Sequence, residues 1–170
     1  MFEIRIVTEN DVEQLQAISV ETFSDTFGAQ NQPDDLAEYL ANAYSQQQLR
    51  LELAQVDSWF YFLWVDAELA GYLKLNINQA QSEQATKNSL EIERIYLRKA
   101  YQKRGLGKVL LEYAQQEAKN QSKSVIWLGV WEHNDNARAF YQKMGFVAFD
   151  QHEFVLGQDV QRDILMQRQL

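Results

Sequence analysis

Six residues, Gln102-Lys103-Arg104-Gly105-Leu106-Gly107, join two segments of different periodicity. Before them, Leu90 to Leu97 reads as a strand. After them, Gly107 to Lys119 reads as a helix, with Leu106, Val109, Leu110, Tyr113, Ala114 and Ala118 on one apolar face. A strand that turns through two glycines into a helix leaves several main-chain N–H groups free in one place. The helix dipole adds partial positive charge there, and Lys103, Arg104 and Lys108 add full charges. Such a junction is a cradle for a pyrophosphate. It is not a nucleoside-triphosphate loop, because Val109 follows Gly107-Lys108 and Gln102 stands where the first glycine is required. It is not a dinucleotide fingerprint either, because Leu110 replaces the third glycine. The competing reading is a cationic turn that only caps a helix.

The rest of the chain supplies the frame. Phe2 to Val7 alternates apolar and polar residues, as a strand does. Thr8, Asn10 and Asp11 are capping signals for a helix through about Phe23, and Gly28 to Gln32 reads as a loop. Pro33 with Asp34 and Asp35 starts a second helix, through Ala43, and Ser45 to Ala54 a third. Trp59–Val65 and Leu69–Ile77 read as strands joined by a short turn, and Gln79 to Asn88 as a polar loop. Val125–Val130 is a strand, Asn134–Met144 a helix capped by Gly145, and Phe146–Phe154 and Val160–Gln169 are strands about a turn at Gly157. Helices inserted in a mainly antiparallel set of strands predict a mixed α/β domain.

With 170 residues, one proline and seven glycines, the chain suits a single domain, residues 1–170, with no linker. No apolar run spans a bilayer, and Met1 to Arg5 resembles neither a signal nor a transit peptide. These absences and the lack of cysteine favour the cytoplasm. A net charge of −8 argues against nucleic acid and is compatible with a cationic substrate. No cysteine means no acyl-cysteine route and no thiolate metal site, and no Gly-x-Ser-x-Gly elbow supports an acyl-serine. His133 and His152 belong to no metal pattern and read as surface or interface residues. Direct transfer of a group from a bound donor to an acceptor is the chemistry left.

Gln102, Gly105 and Gly107, with Asn134, Ala137, Phe140-Tyr141 and Gly145-Phe146 in register downstream, resemble the two signatures of the GNAT N-acetyltransferase superfamily. Glu93 to Leu97, Trp127 to Glu132, Gly157 to Asp163 with Met166, Gly71 to Asn76, and Thr22-Phe23 with Thr26-Phe27-Gly28 are similar to its PaiA-type spermidine and spermine acetyltransferases. The resemblance implies a GNAT fold: a mixed, mostly antiparallel central sheet of about seven strands with flanking helices. It implies acetyl transfer from acetyl-CoA by direct attack of a small-molecule primary amine, with a polyamine first. A protein N-terminal or lysine acetyltransferase and a CoA-binding regulatory module are the alternatives. A homodimer paired through the last strands is common in relatives.

The resemblance also implies roles. The N–H groups around Lys103, Arg104, Gly105, Leu106, Gly107 and Lys108 would hold the pyrophosphate, with Gln102 opening the loop. Ile95, Tyr96 and Leu97 would pair with the pantetheine arm, and the N–H near Leu97 would meet the acetyl oxygen. Asn134 would hydrogen-bond that arm, or act only as a helix N-cap. Tyr141 would be the general acid toward the leaving thiolate, against the plainer role of a core tyrosine beside Phe140 and Met144. Glu93, then Glu91, would be the base on one face of their strand. The alternative is a salt-bridged strand end with Arg94 or Lys74. Glu132, Asp135 and Asp25 are weaker acidic candidates.

Overall fold

The computed structural model describes residues 1–170. Strand β1 (Phe2–Ile6) is followed by helices α1 (Val12–Phe27), α2 (Pro33–Ala43) and α3 (Gln46–Ala54). Strands β2 (Ser58–Val65), β3 (Glu68–Ile77) and β4 (Ser89–Leu97) lead to helix α4 (Leu106–Asn120). Strand β5 (Val125–Trp131), helix α5 (Asp135–Lys143) and strands β6 (Val147–Leu156) and β7 (Asp159–Gln169) complete the chain. This is the element order read from the sequence. The clearest difference is α1, which runs past Phe23 to Phe27. Ser24-Asp25-Thr26 looks like a stop signal, but the Thr22 and Thr26 hydroxyls donate back to Ile18 O at 2.7 Å and Thr22 O at 2.9 Å. Hydroxyls satisfied within the helix do not compete with it, and Phe27 is buried against Trp131, with ring centroids 4.8 Å apart.

The seven strands form one sheet in the order β1-β2-β3-β4-β5-β7-β6. Every neighbouring pair is antiparallel except β4 and β5. That parallel pair is short. It runs from Ser89↔Val125 to Ile92↔Leu128 and then stops, although both strands continue. No helix is long and apolar enough to cross a membrane.

Each face of the sheet carries its own core. On one face Leu63, Leu73, Leu75 and Ile92 pack with Leu110 and Leu111 of α4, Tyr141 of α5 and Phe146. On the other, Phe60, Phe62, Tyr72 and Trp131 pack with Leu15, Ile18 and Phe23 of α1 and Leu49 of α3. Strand β4 changes which residues it gives to each face partway along. Its register with β3 goes from Lys74↔Arg94 to Leu75↔Ile92, so Glu93 has no partner opposite it. This is a β-bulge, which bends a strand and re-aims the side chains beyond it. Leu90 and Ile92 share the α4 face with Ile95 and Leu97, while Tyr96 turns to the α1 face. A strict two-residue alternation cannot produce that distribution.

Beyond the bulge, β3 and β4 approach closely at Gly71. A Cβ built there would lie 2.5 Å from the Tyr96 carbonyl oxygen and 2.7 Å from a Leu97 methyl. Gly71→Ala therefore forces the two strands apart. The expected cost is about 1–3 kcal/mol of stability, read as a lowered urea midpoint at unchanged slope.

Candidate functional site

The Gly105 junction has the predicted form. Gly105 precedes α4 in the left-handed conformation, with φ +80°, and Lys103 also has a positive φ of 59°. No side chain caps the helix, and its first internal bond is Val109 N–H to Gly105 O at 3.3 Å. The N–H groups of Leu106, Gly107 and Lys108 therefore precede the helical ladder and are free for an anion. A Cβ at Gly105 would meet nothing within 4 Å, so glycine is needed there for its backbone and not for space.

The parting of β4 and β5 opens a cavity of about 690 Å³. Arg98 N–H donates to Ala70 O at 2.8 Å, which assigns the even residues of this stretch to β3. The main-chain groups of Ile95 and Leu97 consequently point across the gap toward β5, where no rung exists to take them. Only the Leu97 carbonyl finds a side chain, the Gln102 amide at 3.2 Å. The cavity draws its walls from both faces of the sheet. Gly105, Gly107, Lys108, Phe140 and Tyr141 line it on the α4 side, and Phe23, Phe27, Tyr39, Trp131 and Asp163 on the α1 side. It is a passage through the sheet, with an anion cradle at one mouth and an aromatic, carboxylate-bearing mouth at the other.

Most of the residues expected at the site meet in this passage. Ile95, Tyr96, Leu97, Gln102, Lys103, Gly105, Gly107, Lys108, Asn134, Tyr141 and Glu93 all line it. Arg104 and Leu106 do not. Arg104 stacks its guanidinium 5.2 Å from the Tyr101 ring, and the Leu106 side chain is buried in the α4 core, so each offers the cradle at most its main chain. Asn134 is the expected helix N-cap. It caps α5 by accepting from Ala137 N–H at 3.2 Å, and it faces the passage. Tyr141 is buried between Phe140 and Phe146, and burial pushes its phenol well above its ordinary value.

The two glutamates share a face, since the Asn76 amide donates to Glu91 at 3.0 Å and to Glu93 at 2.9 Å. Their surroundings differ. Glu93 lies 3.0 Å from Lys74 and 3.2 Å from Arg94, and both cations also hold Glu52 of α3, at 2.6 and 2.9 Å. Burial alone would raise the Glu93 carboxyl. The charges of Arg94 and Lys74, with hydrogen bonds from Lys74 and Asn76, outweigh burial and hold it below its ordinary value. A carboxylate so stabilised is a poor proton acceptor. Glu91 is raised by burial and by the Glu93 charge, but it does not line the passage. Its oxygens accept the main-chain N–H of Ser82, at 2.7 Å, and the Ser82 hydroxyl. Of the weaker acidic candidates, Asp25, Glu132 and Asp135 all lie outside the lining.

Sequence reasoning missed Asp163, the second carboxylate on the passage wall. His152, read as a surface or interface residue, is partly exposed, and it lies 3.3 Å from Asp163, a pairing the sequence reading did not make. The alternation of β6 and β7 could have put both on one face, but their pairing across a hairpin was not readable from spacing.

A lowered carboxyl makes the ionised form the stabilising one. The Glu93 contribution is therefore present above the ordinary value of 4.5 and is lost as the pH falls through the lowered value. Glu93→Gln should be less stable than the parent near neutral pH. The gap should narrow as the pH falls through that lowered value, and urea melts taken from neutral to acidic pH measure it.

The comparisons agree with this geometry. Residues 14–146 match the acetyltransferase (GNAT) family. An uncharacterized N-acetyltransferase from the pepI 3′ region of Lactobacillus delbrueckii subsp. lactis is 52% identical over 164 residues, covering 96% of this chain and 95% of the relative. Spermidine N(1)-acetyltransferase of Thermoplasma acidophilum is 26% identical over 152 residues, covering 87% and 89%. The crystal structure of PaiA N-acetyltransferase from Thermoplasma acidophilum with coenzyme A has a TM-score of 0.81 at 24% identity, covering 100% of this chain and 99% of that one. A cradle, an unpaired strand edge and a passage between them thus have their counterpart in a sequence match over most of the chain, and this protein belongs to the GNAT family of acetyl-CoA-dependent N-acetyltransferases.

Proposed function

We propose that the protein acetylates a small primary amine of the polyamine class, spermidine or spermine first. The observation that carries this is the character of the α1-side mouth. Phe23, Phe27, Tyr39, Tyr44 and Phe154 give it aromatic walls, and Asp163, which has no lysine or arginine partner, gives it negative charge, whereas Glu93 is balanced by Lys74 and Arg94. Aromatic faces and a carboxylate together suit an alkyl chain that carries ammonium groups. The likeness to a relative named as a spermidine acetyltransferase supports the same reading.

The residues present fit acetyl-CoA. When bound, it supplies an activated acetyl carbonyl. Free N–H groups of Leu106, Gly107 and Lys108 hold the diphosphate, and the unpaired edge at Ile95 and Leu97 takes the amide-bearing arm. The Leu97 N–H, aimed into the gap, donates to the carbonyl oxygen as negative charge gathers there. Asn134 orients the arm with its amide N–H groups. Tyr141 keeps its proton at every working pH and delivers it to the departing sulfur. The apolar setting that raises the phenol also penalises a bare thiolate, so proton delivery is needed there. Glu93 stays ionised in its ion pairs with Lys74 and Arg94.

Calorimetry with acetyl-CoA and a thiol-release assay with spermidine and spermine test the proposal. Acetyl-CoA binding with turnover of a polyamine is expected, and binding with no turnover of any polyamine would refute the substrate class. Tyr141→Phe should lower kcat by roughly 10²–10⁴-fold and leave acetyl-CoA affinity nearly unchanged.

A further inference from the structure

An attacking amine must first shed a proton, and the residues expected to take it are committed elsewhere. Glu93 is held between two cations, and Glu91 is turned away from the passage. Asp163 is the remaining carboxylate on the wall, and it has no lysine or arginine within ion-pairing distance. Its position is specific. A Cβ built on Gly129 would lie 3.4 Å from Asp163 Oδ2, so the carboxylate stands over that glycine. Gly129 is the first β5 residue past the last rung with β4, Ile92↔Leu128. Glu93 is the first past that rung on β4. The two carboxylates therefore flank the point where the strands part, one paired with cations and one not.

Asp163 also has an outlet. It sits opposite His152 in the β6–β7 register, and His152 Nε2 is 3.3 Å from its Oδ2. The other ring nitrogen, Nδ1, is 2.5 Å from Glu83 Oε1, and the Glu83 side chain is 39% exposed. The three groups form a line from the passage to solvent. Glu83 belongs to the loop between β3 and β4, and that loop is fixed from below. Ser82 is anchored to Glu91, and Gln81 Oε1 accepts from Ser89 and from the Trp127 indole at 3.0 and 2.8 Å. The buried Glu91 thus holds the loop that carries Glu83.

We propose that Asp163 is the proton acceptor for the substrate ammonium, with His152 and Glu83 as positioning residues that pass the proton to solvent. This rests on the acetyltransferase reading above. The ammonium N–H bond breaks, the proton goes to an Asp163 oxygen, and the electron pair stays on nitrogen. That pair forms the bond to the acetyl carbon. The carbon–sulfur bond then breaks, and sulfur leaves with the Tyr141 proton. The second proton on the acylated nitrogen restores the phenol. Meanwhile the Asp163 proton moves to His152 Nε2 as Nδ1 hands one to Glu83. Net, one amine proton reaches solvent and one ends on the thiol.

The charges around Asp163 suit the task. Burial raises its carboxyl, His152 pulls it back, and Glu83 and Glu132 push it up again. Tyr39 of α2 lies near it, and Arg94 and Glu93 of β4 share the passage wall. A carboxyl above its ordinary value accepts a proton more readily than the restrained Glu93 does.

The experiment is the pH dependence of kcat/KM for spermidine, with acetyl-CoA binding followed in parallel. Asp163→Asn should lower kcat/KM near neutral pH by roughly 10²–10⁴-fold while acetyl-CoA affinity stays within about threefold, a change near 0.6 kcal/mol. The deficit should shrink as the pH rises toward the amine's own pKa, where free amine needs no base. Asp163→Glu should restore part of the rate. His152→Gln removes the hydrogen-bond partner that lowers Asp163, so its acidic limb should move to higher pH. Spermidine turnover that Asp163→Asn leaves intact, or an acidic limb that His152→Gln leaves in place, overturns the proposal and spares the acetyltransferase reading. No turnover of any amine by the parent enzyme overturns both.

Discussion

Four rungs hold β4 to β5, and the site depends on the fifth being absent. The bulge at Glu93 bends β4 at that point and reverses the faces of the residues beyond it. Ile95 and Leu97 keep their side chains in the α4 core while their main-chain groups face an open gap. In the middle of a sheet, unpaired N–H and C=O groups are costly unless something takes them. A ligand arm bearing amides is a partner of the right chemistry for them.

The bulge places Glu93 in a buried square of alternating charge with Lys74, Glu52 and Arg94. Arg94 also lies 5.1 Å from the centroid of the Tyr44 ring. Burying four charges carries a desolvation cost, which their mutual attraction offsets only when the geometry is kept. The square therefore ties α3 to β3 and β4 and fixes the α1-side mouth. It also gives the two carboxylates of one strand different partners. Glu93 is a corner of the charge-balanced square, and Glu91 anchors the Ser82 loop.

Much of the architecture was legible because its signals are local. The alternation in β1, Pro33 at the start of α2, Ser45 capping α3 through the Gln48 N–H, and Gly145 after α5 each act within one turn of chain. The boundary of α1 was not legible, because the fate of the Thr22 and Thr26 hydroxyls depends on the helix they are in. The bulge left no local mark either. It is a mismatch between two strands, and a single strand shows only half of it.

By itself, the sequence determined the junction at Gly105, the order of elements, and the side chains able to bind an anion or carry a proton. These follow from backbone preferences and short spacings, which operate whatever the rest of the chain does. Tertiary structure alone decided which of those side chains are available. It paired Glu93 with Lys74 and Arg94, spent Glu91 on Ser82, and set Asp163 over Gly129 with His152 behind it. A carboxylate's proton affinity is set by burial and by charges a few ångströms away, and those neighbours come from strands far apart in the chain.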